Sequence, residues 1–343
     1  MSNEFPSGVF RLQPAITEEL DGYLRTLGLL TKGESILSVE RAGEGNMNCV
    51  VRVRTDFKSI ILKQSRPWVE KYPRIGAPFD RALQEIRFYR MVENQPAIAS
   101  RMPALLLADP DNRLLCLEDL GTAGDCTKRG PDSPFTRQEM ADVAHYLSSL
   151  HSLTAPGEIR EQFSNREMRE LNHAHIFRIP LDPNNQLDLD AIVPGLKQES
   201  LKLTTREEFR AAARALGDDC YLREGTTLVH GDIFPGCWMM TDSGLRFVDP
   251  EFSFFGRAEI DVGVVMAHLR LSRQPPDREA WFLESYHPPS DYDPQLAARF
   301  AGVEIMRRVI GVAQLRLGGG VGFRRELLDQ SSDLLLGGVT APR

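Results

Sequence analysis

Three acidic residues flank a predicted β-hairpin near residue 240. Asp232 ends the sequence Leu-Val-His-Gly-Asp, and Val-Asp-Pro-Glu-Phe places Asp249 and Glu251 after the hairpin. Two apolar runs, residues 237–240 and 245–248, are joined by Thr-Asp-Ser-Gly, which predicts the hairpin. Phosphoryl transfer from a metal–nucleotide complex requires one carboxylate at the accepting hydroxyl and others at the magnesium ion. We therefore predict Asp232 as the catalytic carboxylate and Asp249 with Glu251 as magnesium ligands.

Structural roles for these residues stay open as alternatives. An aspartate in a tight loop often only stabilises the turn, which is the alternative for Asp232. A solvated acidic loop is the alternative for Asp249 and Glu251, but their apolar and aromatic neighbours in the sequence disfavour it. We expect His230 to hold the loop by hydrogen bonds, and Asp261 to cap a helix and accept N–H groups of the loop.

A lysine and a glutamate in the N-terminal third lie on faces that are predicted to be buried. Lys63 lies on a predicted strand, residues 59–64, both of whose faces are mostly apolar. Glu85 lies on the apolar face of a predicted helix, residues 78–92. Because an inward carboxylate is costly unless it is paired, we predict a Lys63–Glu85 ion pair whose lysine reaches the α- and β-phosphates of a nucleotide. The alternative is an edge-strand lysine that extends to water.

A glycine-containing loop lies between two predicted strands, with the sequence Gly-Glu-Gly-Asn-Met-Asn at residues 43–48. Glycines allow the backbone to come close to phosphate oxygens and to present N–H groups to them. We predict nucleotide-binding roles for Gly43, Gly45, Asn46 and Asn48, with an ordinary turn as the alternative. A dinucleotide-binding fold is disfavoured because a strand, and not a helix, follows the glycines.

An arginine interrupts the apolar stripe of a predicted helix near the C-terminus. Arg307 falls among Leu296, Phe300, Val303 and Ile310 at helical spacing. A buried guanidinium needs an acceptor, so Arg307 and Arg308 could bind substrate hydroxyls or stabilise the transferring phosphoryl group. The alternative for Arg308 is an ordinary ion pair with Glu304, one turn earlier.

The pattern of elements predicts an α+β protein with two lobes. Predicted helices cover residues 17–30 and 78–92, and predicted strands cover residues 36–40, 49–54, 59–64 and 114–117. Helices then dominate, at residues 136–153, 166–176, 206–216, 296–317 and 323–336. We expect a small β-rich nucleotide-binding lobe, residues 1–117, and a larger, mostly helical catalytic and substrate-binding lobe, residues 118–343. A cleft between two such lobes is a natural ligand site.

The composition limits the classes of partner. The 343 residues carry a formal net charge of −7, which disfavours nucleic acid and anionic membranes as partners. Neither a run of about 20 apolar residues nor a secretory signal is apparent. The five cysteines are scattered and never form Cys-x-x-Cys, so we expect reduced thiols in a cytoplasmic protein, without a zinc site.

Several of these motifs together resemble the choline kinase and aminoglycoside phosphotransferase family, and 5-methylthioribose kinases in particular. The matching stretches are Gly-Glu-Gly-Asn-Met-Asn (43–48), Ile-Leu-Lys-Gln (61–64), Arg-Ala-Leu-Gln-Glu (81–85), Glu-Asp-Leu (118–120), Leu-Asn-His-Ala-His-Ile-Phe (171–177), Leu-Val-His-Gly-Asp (228–232), Val-Asp-Pro-Glu-Phe-Ser-Phe-Phe-Gly (248–256) and Met-Arg-Arg-Val-Ile-Gly (306–311).

The resemblance implies a protein-kinase-like fold and an ATP- and Mg²⁺-dependent phosphotransferase with an alcohol acceptor. The implied acceptor is a sugar-like metabolite, foremost 5-methylthioribose of methionine salvage. The resemblance also implies that Glu118 and Leu120 lie at the adenine, and that Arg307 and Arg308 lie near the sugar. A homodimer is left open.

The sequence departs from the family at several positions. Most of the larger family has asparagine five residues after the catalytic aspartate, whereas this chain has Cys237, and a thiol is a poor magnesium ligand. Phe234 stands where histidine is common, Trp238 follows Cys237, and a glycine-rich stretch occupies residues 318–322. The alternatives are therefore a kinase for a deoxypentose, an amino alcohol such as choline or an aminoglycoside, and a non-catalytic nucleotide-binding relative.

Overall fold

The computed structural model describes residues 4–43, 45 and 47–337. Asn46 of the glycine-containing loop, predicted to bind the nucleotide, lies outside the described residues. Within them the chain divides into two compact units. The first unit extends to Ala123 and also contains Arg246–Glu251, and the second comprises Gly124–Leu245 and the chain from Phe252 onward. The lobes predicted from the sequence, residues 1–117 and 118–343, remain a prediction. A single cut in the chain cannot describe the observed units, because the segment with Asp249 and Glu251 belongs to the first.

The first unit is built around an antiparallel sheet. Its elements are α1 (Glu18–Thr26), β1 (Ile36–Arg41), β2 (Cys49–Thr55), β3 (Ser59–Gln64), β4 (Trp68–Val69), β5 (Tyr72–Gly76), α2 (Arg81–Val92), α3 (Pro96–Ala99), β6 (Leu105–Asp109) and β7 (Leu114–Glu118). Five strands form one sheet in the order β1-β2-β3-β7-β6, and β4 pairs with β5. β3 is therefore a central strand, hydrogen-bonded to β2 and β7 on its two sides.

The core of the first unit follows the alternation of β2. Cys49, Val51 and Val53 are fully buried, and Leu20 and Leu24 of α1 belong to the same apolar cluster. Because successive side chains of a strand point to opposite faces, this alternation places one face of the sheet against α1. The strands predicted at residues 36–40, 49–54, 59–64 and 114–117 are confirmed to within one residue at each end.

The second unit is mostly helical. Its elements are β8 (Gly124–Asp125), α4 (Arg137–His151), α5 (Gly157–Gln162), α6 (Arg166–His173), α7 (Leu196–Thr204), α8 (Glu207–Leu216), β9 (Thr227–Val229), β10 (Trp238–Thr241), β11 (Gly244–Phe247), β12 (Phe254–Gly256), α9 (Glu259–Leu271), α10 (Pro276–Ser285), α11 (Pro294–Ile310) and α12 (Gly320–Leu336). Helix α11 packs against α9 and α12. Strands pair in the orders β11-β10-β8 and β12-β9, and the last two residues of β11 belong to the first unit.

Two predicted helices differ from the structure for identifiable reasons, and the range of a third helix was not predicted. The helix predicted over residues 296–317 ends at Ile310, because Gly311 has an extended backbone conformation while its N–H still bonds the carbonyl oxygen of Arg307. A Cβ at Gly311 would lie 2.5 Å from that oxygen, so the close approach requires glycine. The helix predicted to run to residue 176 changes into a π-helical turn, Ala174–Arg178. The extent of helix α9, where only a helix capped by Asp261 was expected, was not predicted, because the helix is buried on nearly every side and has no amphipathic period.

None of the described helices is long and apolar enough to cross a membrane.

Candidate active site

Lys63 is the centre of a buried ionic cluster in the first unit. Its side chain extends from the central strand β3, and its Nζ lies 2.7 Å from Oε2 of Glu85 and 2.5 Å from Oδ1 of Asp249. Lys63 and Glu85 are 3% and 1% exposed, whereas half of the Asp249 side chain is exposed. The structure thus contains the Lys63–Glu85 pair predicted from the strand and helix periods. The proposed contact of Lys63 with a nucleotide stays a prediction.

The charges of this cluster are unbalanced. Burial raises the pKa of Glu85 to about 7, although the positive charge of Lys63 opposes this rise. Burial acts to lower the pKa of Lys63, but the carboxylates of Asp249 and Glu85 outweigh it and raise that pKa well above its usual range. One ammonium group therefore serves several carboxylates, and added positive charge near Asp249 would be favourable.

Glu251 is held by Asn48, the last residue of the glycine-containing loop, and by Arg81, the first residue of α2. Its Oε2 accepts a hydrogen bond from Nδ2 of Asn48 at 2.9 Å and lies 3.3 Å from Nε of Arg81. Arg81 also donates to the side-chain oxygen of Asn48 and to the backbone carbonyl of Met47. The Asn48 side chain thus anchors the end of the loop to Glu251. Sequence reasoning missed Arg81, since an arginine at the start of a helix gives no signal of complete burial.

Asp249 fits a magnesium ligand. It has a left-handed φ of 65°, presents a half-exposed carboxylate, and offers the hard oxygen that Mg²⁺ prefers. Among the described residues, no cluster of three or more histidine, cysteine or acidic side chains could hold a metal. Mg²⁺ usually binds through one or two carboxylates together with phosphates and water, so two carboxylates suffice. Oε2 of Glu251 already contacts Asn48 and Arg81, so a metal ion bound by that oxygen would compete with these two side chains.

The other predicted nucleotide contacts have simple local settings. Gly43 has a φ of 76°, which turns the chain after β1, and Gly45 is exposed. Glu118 ends β7 and accepts the N–H of Ala104 at 3.0 Å through its side chain, and Leu120 is half-buried just beyond. Their roles toward adenine and phosphate remain predictions.

We predict that the Lys63→Met variant binds ATP roughly 10- to 100-fold more weakly, because the hydrogen bond from the Lys63 ammonium group to the charged phosphates of ATP is lost. The remaining Glu85 can take up a proton near pH 7, which limits the cost of leaving it unpaired. Isothermal titration calorimetry with Mg-ATP measures the change. Lys58→Met is the matched control, since Lys58 lies beside β3 and only pairs loosely with Glu34 at 3.7 Å. Equal affinity of the two variants would contradict the prediction.

Asp232 lies in a tight loop between β9 and β10 in the second unit. The preceding Gly231 has a φ of 84°, and a Cβ there would lie 2.3 Å from the Phe252 carbonyl oxygen, so only glycine fits. The backbone N–H groups of His230 and Gly231 donate to the carboxylate of Asp261 at 2.7 and 2.9 Å. The predicted contact of Asp261 with the loop is therefore confirmed, and it fixes the backbone that carries Asp232. The prediction that Asp261 caps a helix is wrong, because Asp261 is the third residue of α9 and Ala258 is at the cap position.

Cys237 and Trp238 also hold the backbone of this loop. The buried thiol of Cys237 donates to the backbone carbonyl of Asp232 across 3.3 Å, and the indole of Trp238 donates to the carbonyl of Ile233 across 3.2 Å. The residue that replaces the usual asparagine thus has a structural contact of its own. It stabilises the loop from the backbone side and offers no oxygen to a metal.

Two arginines of α11 reach Asp232. Nη2 of Arg308 lies 3.1 Å from Oδ1 of Asp232, and Nη1 of Arg307 lies 3.4 Å from the same oxygen. Glu304 receives Nε of Arg308 at 2.6 Å and Nη1 of Arg307 at 3.1 Å. His268 of α9 lies 3.1 Å from the Glu304 carboxylate. The structure thus joins the three predicted residues and adds Glu304 and His268, which sequence reasoning had not placed in the site.

The charges of this second cluster are balanced. Burial acts to raise the pKa of Glu304, but the charges of Arg307 and Arg308 outweigh it and lower that pKa well below its usual range. Burial lowers the pKa of His268, so its imidazole is neutral. Two guanidinium groups therefore face two carboxylates, those of Glu304 and Asp232.

We predict that Glu304→Gln lowers the free energy of unfolding at pH 7 by about 3–5 kcal/mol, because two buried cations lose their shared anion. The Glu304 pKa is lower in the folded than in the unfolded chain, where it is about 4.3. Its stabilising effect is therefore complete above that pH and is lost as the pH falls through the folded value. Urea unfolding at pH 7, 5 and 3.5 should show the difference between the two proteins shrinking toward low pH. A constant difference would contradict the prediction.

Comparison with known proteins identifies the family. The sequence profile of the phosphotransferase enzyme family, APH, matches residues 38–296, which include the Lys63 cluster, Asp232 and His268 but not Glu304, Arg307 and Arg308. The chain belongs to this family. This phosphotransferase is 26% identical to a methylthioribose kinase of Exiguobacterium sibiricum, over 89% of this chain and 85% of that protein. It is also 26% identical to a methylthioribose kinase of Bacillus velezensis, over 84% and 82% of the two chains.

Solved structures agree on the fold of the phosphotransferase. Spectinomycin phosphotransferase APH(9)-Ia matches with a TM-score of 0.55 and 13% identity, covering 94% of this chain and 98% of that one. Choline kinase LicA from Streptococcus pneumoniae matches with a TM-score of 0.51 and 14% identity, covering 94% and 100%. The predicted protein-kinase-like α+β fold is thus confirmed. The protein is an ATP-dependent phosphotransferase that acts on a small molecule.

Proposed function

We propose that this phosphotransferase transfers the γ-phosphoryl group of ATP, with Mg²⁺, to a hydroxyl of 5-methylthioribose. Two methylthioribose kinases that align with more than four fifths of the chain support this acceptor. Their identity of 26% supports the assignment without deciding the acceptor. The choice among acceptor classes therefore depends on the chemistry of the residues around Asp232.

The balanced charge around Asp232 is the observation that carries the proposal. A cationic acceptor, such as an amino alcohol or an aminoglycoside, needs uncompensated carboxylates to offset the loss of its hydration. Here Arg307 and Arg308 already neutralise Asp232 and Glu304, and they present further N–H donors. A cluster that has no net charge but still presents N–H donors suits the hydroxyl oxygens of a neutral sugar.

The residues divide the work of the transfer between nucleotide and acceptor. Asp232 receives the hydrogen bond, and then the proton, of the attacking hydroxyl. Arg307 and Arg308 orient the sugar and stabilise negative charge on the phosphoryl group as it transfers. Lys63, held by Glu85, binds the nucleotide phosphates. Magnesium, when bound by Asp249 and Glu251, would neutralise phosphate charge during the transfer.

A coupled ADP-release assay over a panel of acceptors tests the proposal. The panel contains 5-methylthioribose, ribose, 2-deoxyribose, choline, ethanolamine and an aminoglycoside, each with Mg-ATP. We expect 5-methylthioribose to have a kcat/KM at least about 100-fold above that of every cationic acceptor, a difference of about 2.7 kcal/mol in transition-state stabilisation.

Other outcomes of the panel have definite meanings. Preference for choline or the aminoglycoside would refute the charge argument. Preference for another neutral sugar would keep the site chemistry and replace the named acceptor. ATP binding in calorimetry without turnover of any acceptor would favour a non-catalytic nucleotide-binding protein.

A further inference from the structure

Glu304 contacts both arginines that reach Asp232. It precedes Arg307 and Arg308 by three and four residues on α11, so the three side chains leave one face of the helix. Its Oε1 accepts Nε of Arg308 at 2.6 Å, and its Oε2 accepts Nη1 of Arg307 at 3.1 Å. At 2% exposure, this carboxylate is buried and bonded on both oxygens.

His268 holds Glu304 from a neighbouring helix. Its Nε2 lies 3.1 Å from Oε1 of Glu304. Because the buried carboxylate can only accept, the neutral imidazole must carry its proton on Nε2 and donate it. Helices α9 and α11 pack against each other, so this bond fixes the carboxylate independently of the helix that carries it.

Phe234 holds the plane of Arg308. The guanidinium carbon lies 4.6 Å from the centre of the Phe234 ring, within the range of a cation–π contact. The same ring lies 5.5 Å from that of His268. With its Nε on Glu304 and its face on Phe234, the planar guanidinium has one orientation, in which Nη2 reaches Asp232. The phenylalanine that replaces the family's usual histidine therefore has a positioning contact.

We propose that Glu304 is a positioning residue that keeps the two arginines from closing on Asp232. A guanidinium beside an unshared carboxylate forms a bidentate pair that occupies both oxygens. Here Glu304 accepts one hydrogen bond from each guanidinium group. Both guanidinium groups contact Asp232 through Oδ1 alone. Oδ2 has no hydrogen bond of its own among the described residues and stays available to an acceptor hydroxyl. This inference rests on the proposed function, because it assigns Oδ2 to the acceptor.

Kinetics of matched variants test the role of Glu304. The amide of Glu304→Gln can accept from one arginine only and presents an N–H group to the other. In this variant we expect kcat/KM for the acceptor to fall about 100-fold, which is the largest effect typical of removing a residue that orients others. We expect KM for ATP to stay unchanged within about twofold. His268→Gln keeps an N–H donor and should retain most activity, whereas His268→Leu should lose about tenfold. Glu326→Gln, an exposed position on α12, is the control.

A crystal structure of Glu304→Gln gives a readout without substrate. We expect Arg308 to form a bidentate pair with Asp232 that occupies Oδ2. Unmoved arginines, or acceptor kinetics equal to those of the control in a folded Glu304→Gln protein, would overturn the proposal. If Glu304→Gln does not fold, equal kinetics of His268→Gln and His268→Leu would overturn it instead. If the unsubstituted protein phosphorylates no acceptor, the proposed function fails. The positions of Arg307 and Arg308 in the crystal structure of Glu304→Gln still decide the role of Glu304 in that case.

Discussion

Asp232→Asn should reduce phosphoryl transfer by about 10³-fold or more while ATP affinity changes by no more than about twofold. The amide cannot take the proton of the acceptor hydroxyl, and it no longer carries the charge that Arg307 and Arg308 contact. The loop itself should persist, because it is held through its backbone by Asp261 and Cys237. Steady-state ADP release measures turnover, and calorimetry with Mg-ATP measures binding.

Asp242→Asn is the control for this variant. Asp242 is exposed in the turn of the hairpin that follows Asp232, so the same change of charge there should leave both quantities unaltered. A folded Asp232→Asn protein with normal turnover would show that Asp232 is not the catalytic carboxylate.

Arg307→Lys should lower kcat/KM for the acceptor by about 10- to 100-fold and leave ATP affinity nearly unchanged. Lysine keeps the charge but cannot contact Glu304 and Asp232 at once through a planar fork. Kinetics with each substrate varied separately, together with calorimetry, measure the two effects.

The same helix supplies a control for this substitution. Arg299 of α11 donates to the backbone carbonyl of Leu335 and has no contact with Asp232 or Glu304 among the described residues, so Arg299→Lys should retain acceptor turnover. Loss of ATP binding with unchanged acceptor kinetics in Arg307→Lys would place the arginines at the nucleotide.

Periodicity in the sequence is informative where one face of an element is buried and the other is not. The strand at Cys49–Thr55 was predicted closely because its apolar alternation is local, and the strand at Ser59–Gln64 because it is a short apolar run. The extent of helix α9 was not predicted for the converse reason, since burial on nearly every side removes the contrast between faces. The ends of α11 and α6 depend on Gly311 and on a π-helical turn, and apolar spacing does not report either.

The sequence by itself determined which side chains can do chemistry, and it predicted the Lys63–Glu85 pair from two independent periods. Only the tertiary structure decided the other partners of these side chains. It bonds Glu251 to Asn48, 203 positions away, and it brings His268 to a Glu304 that the sequence had paired with Arg308 alone. Local periodicity reports neighbours within one or two turns, whereas these contacts depend on how distant elements pack. The ionic partners that orient Asp232 and Asp249 were therefore beyond what spacing along the chain could predict.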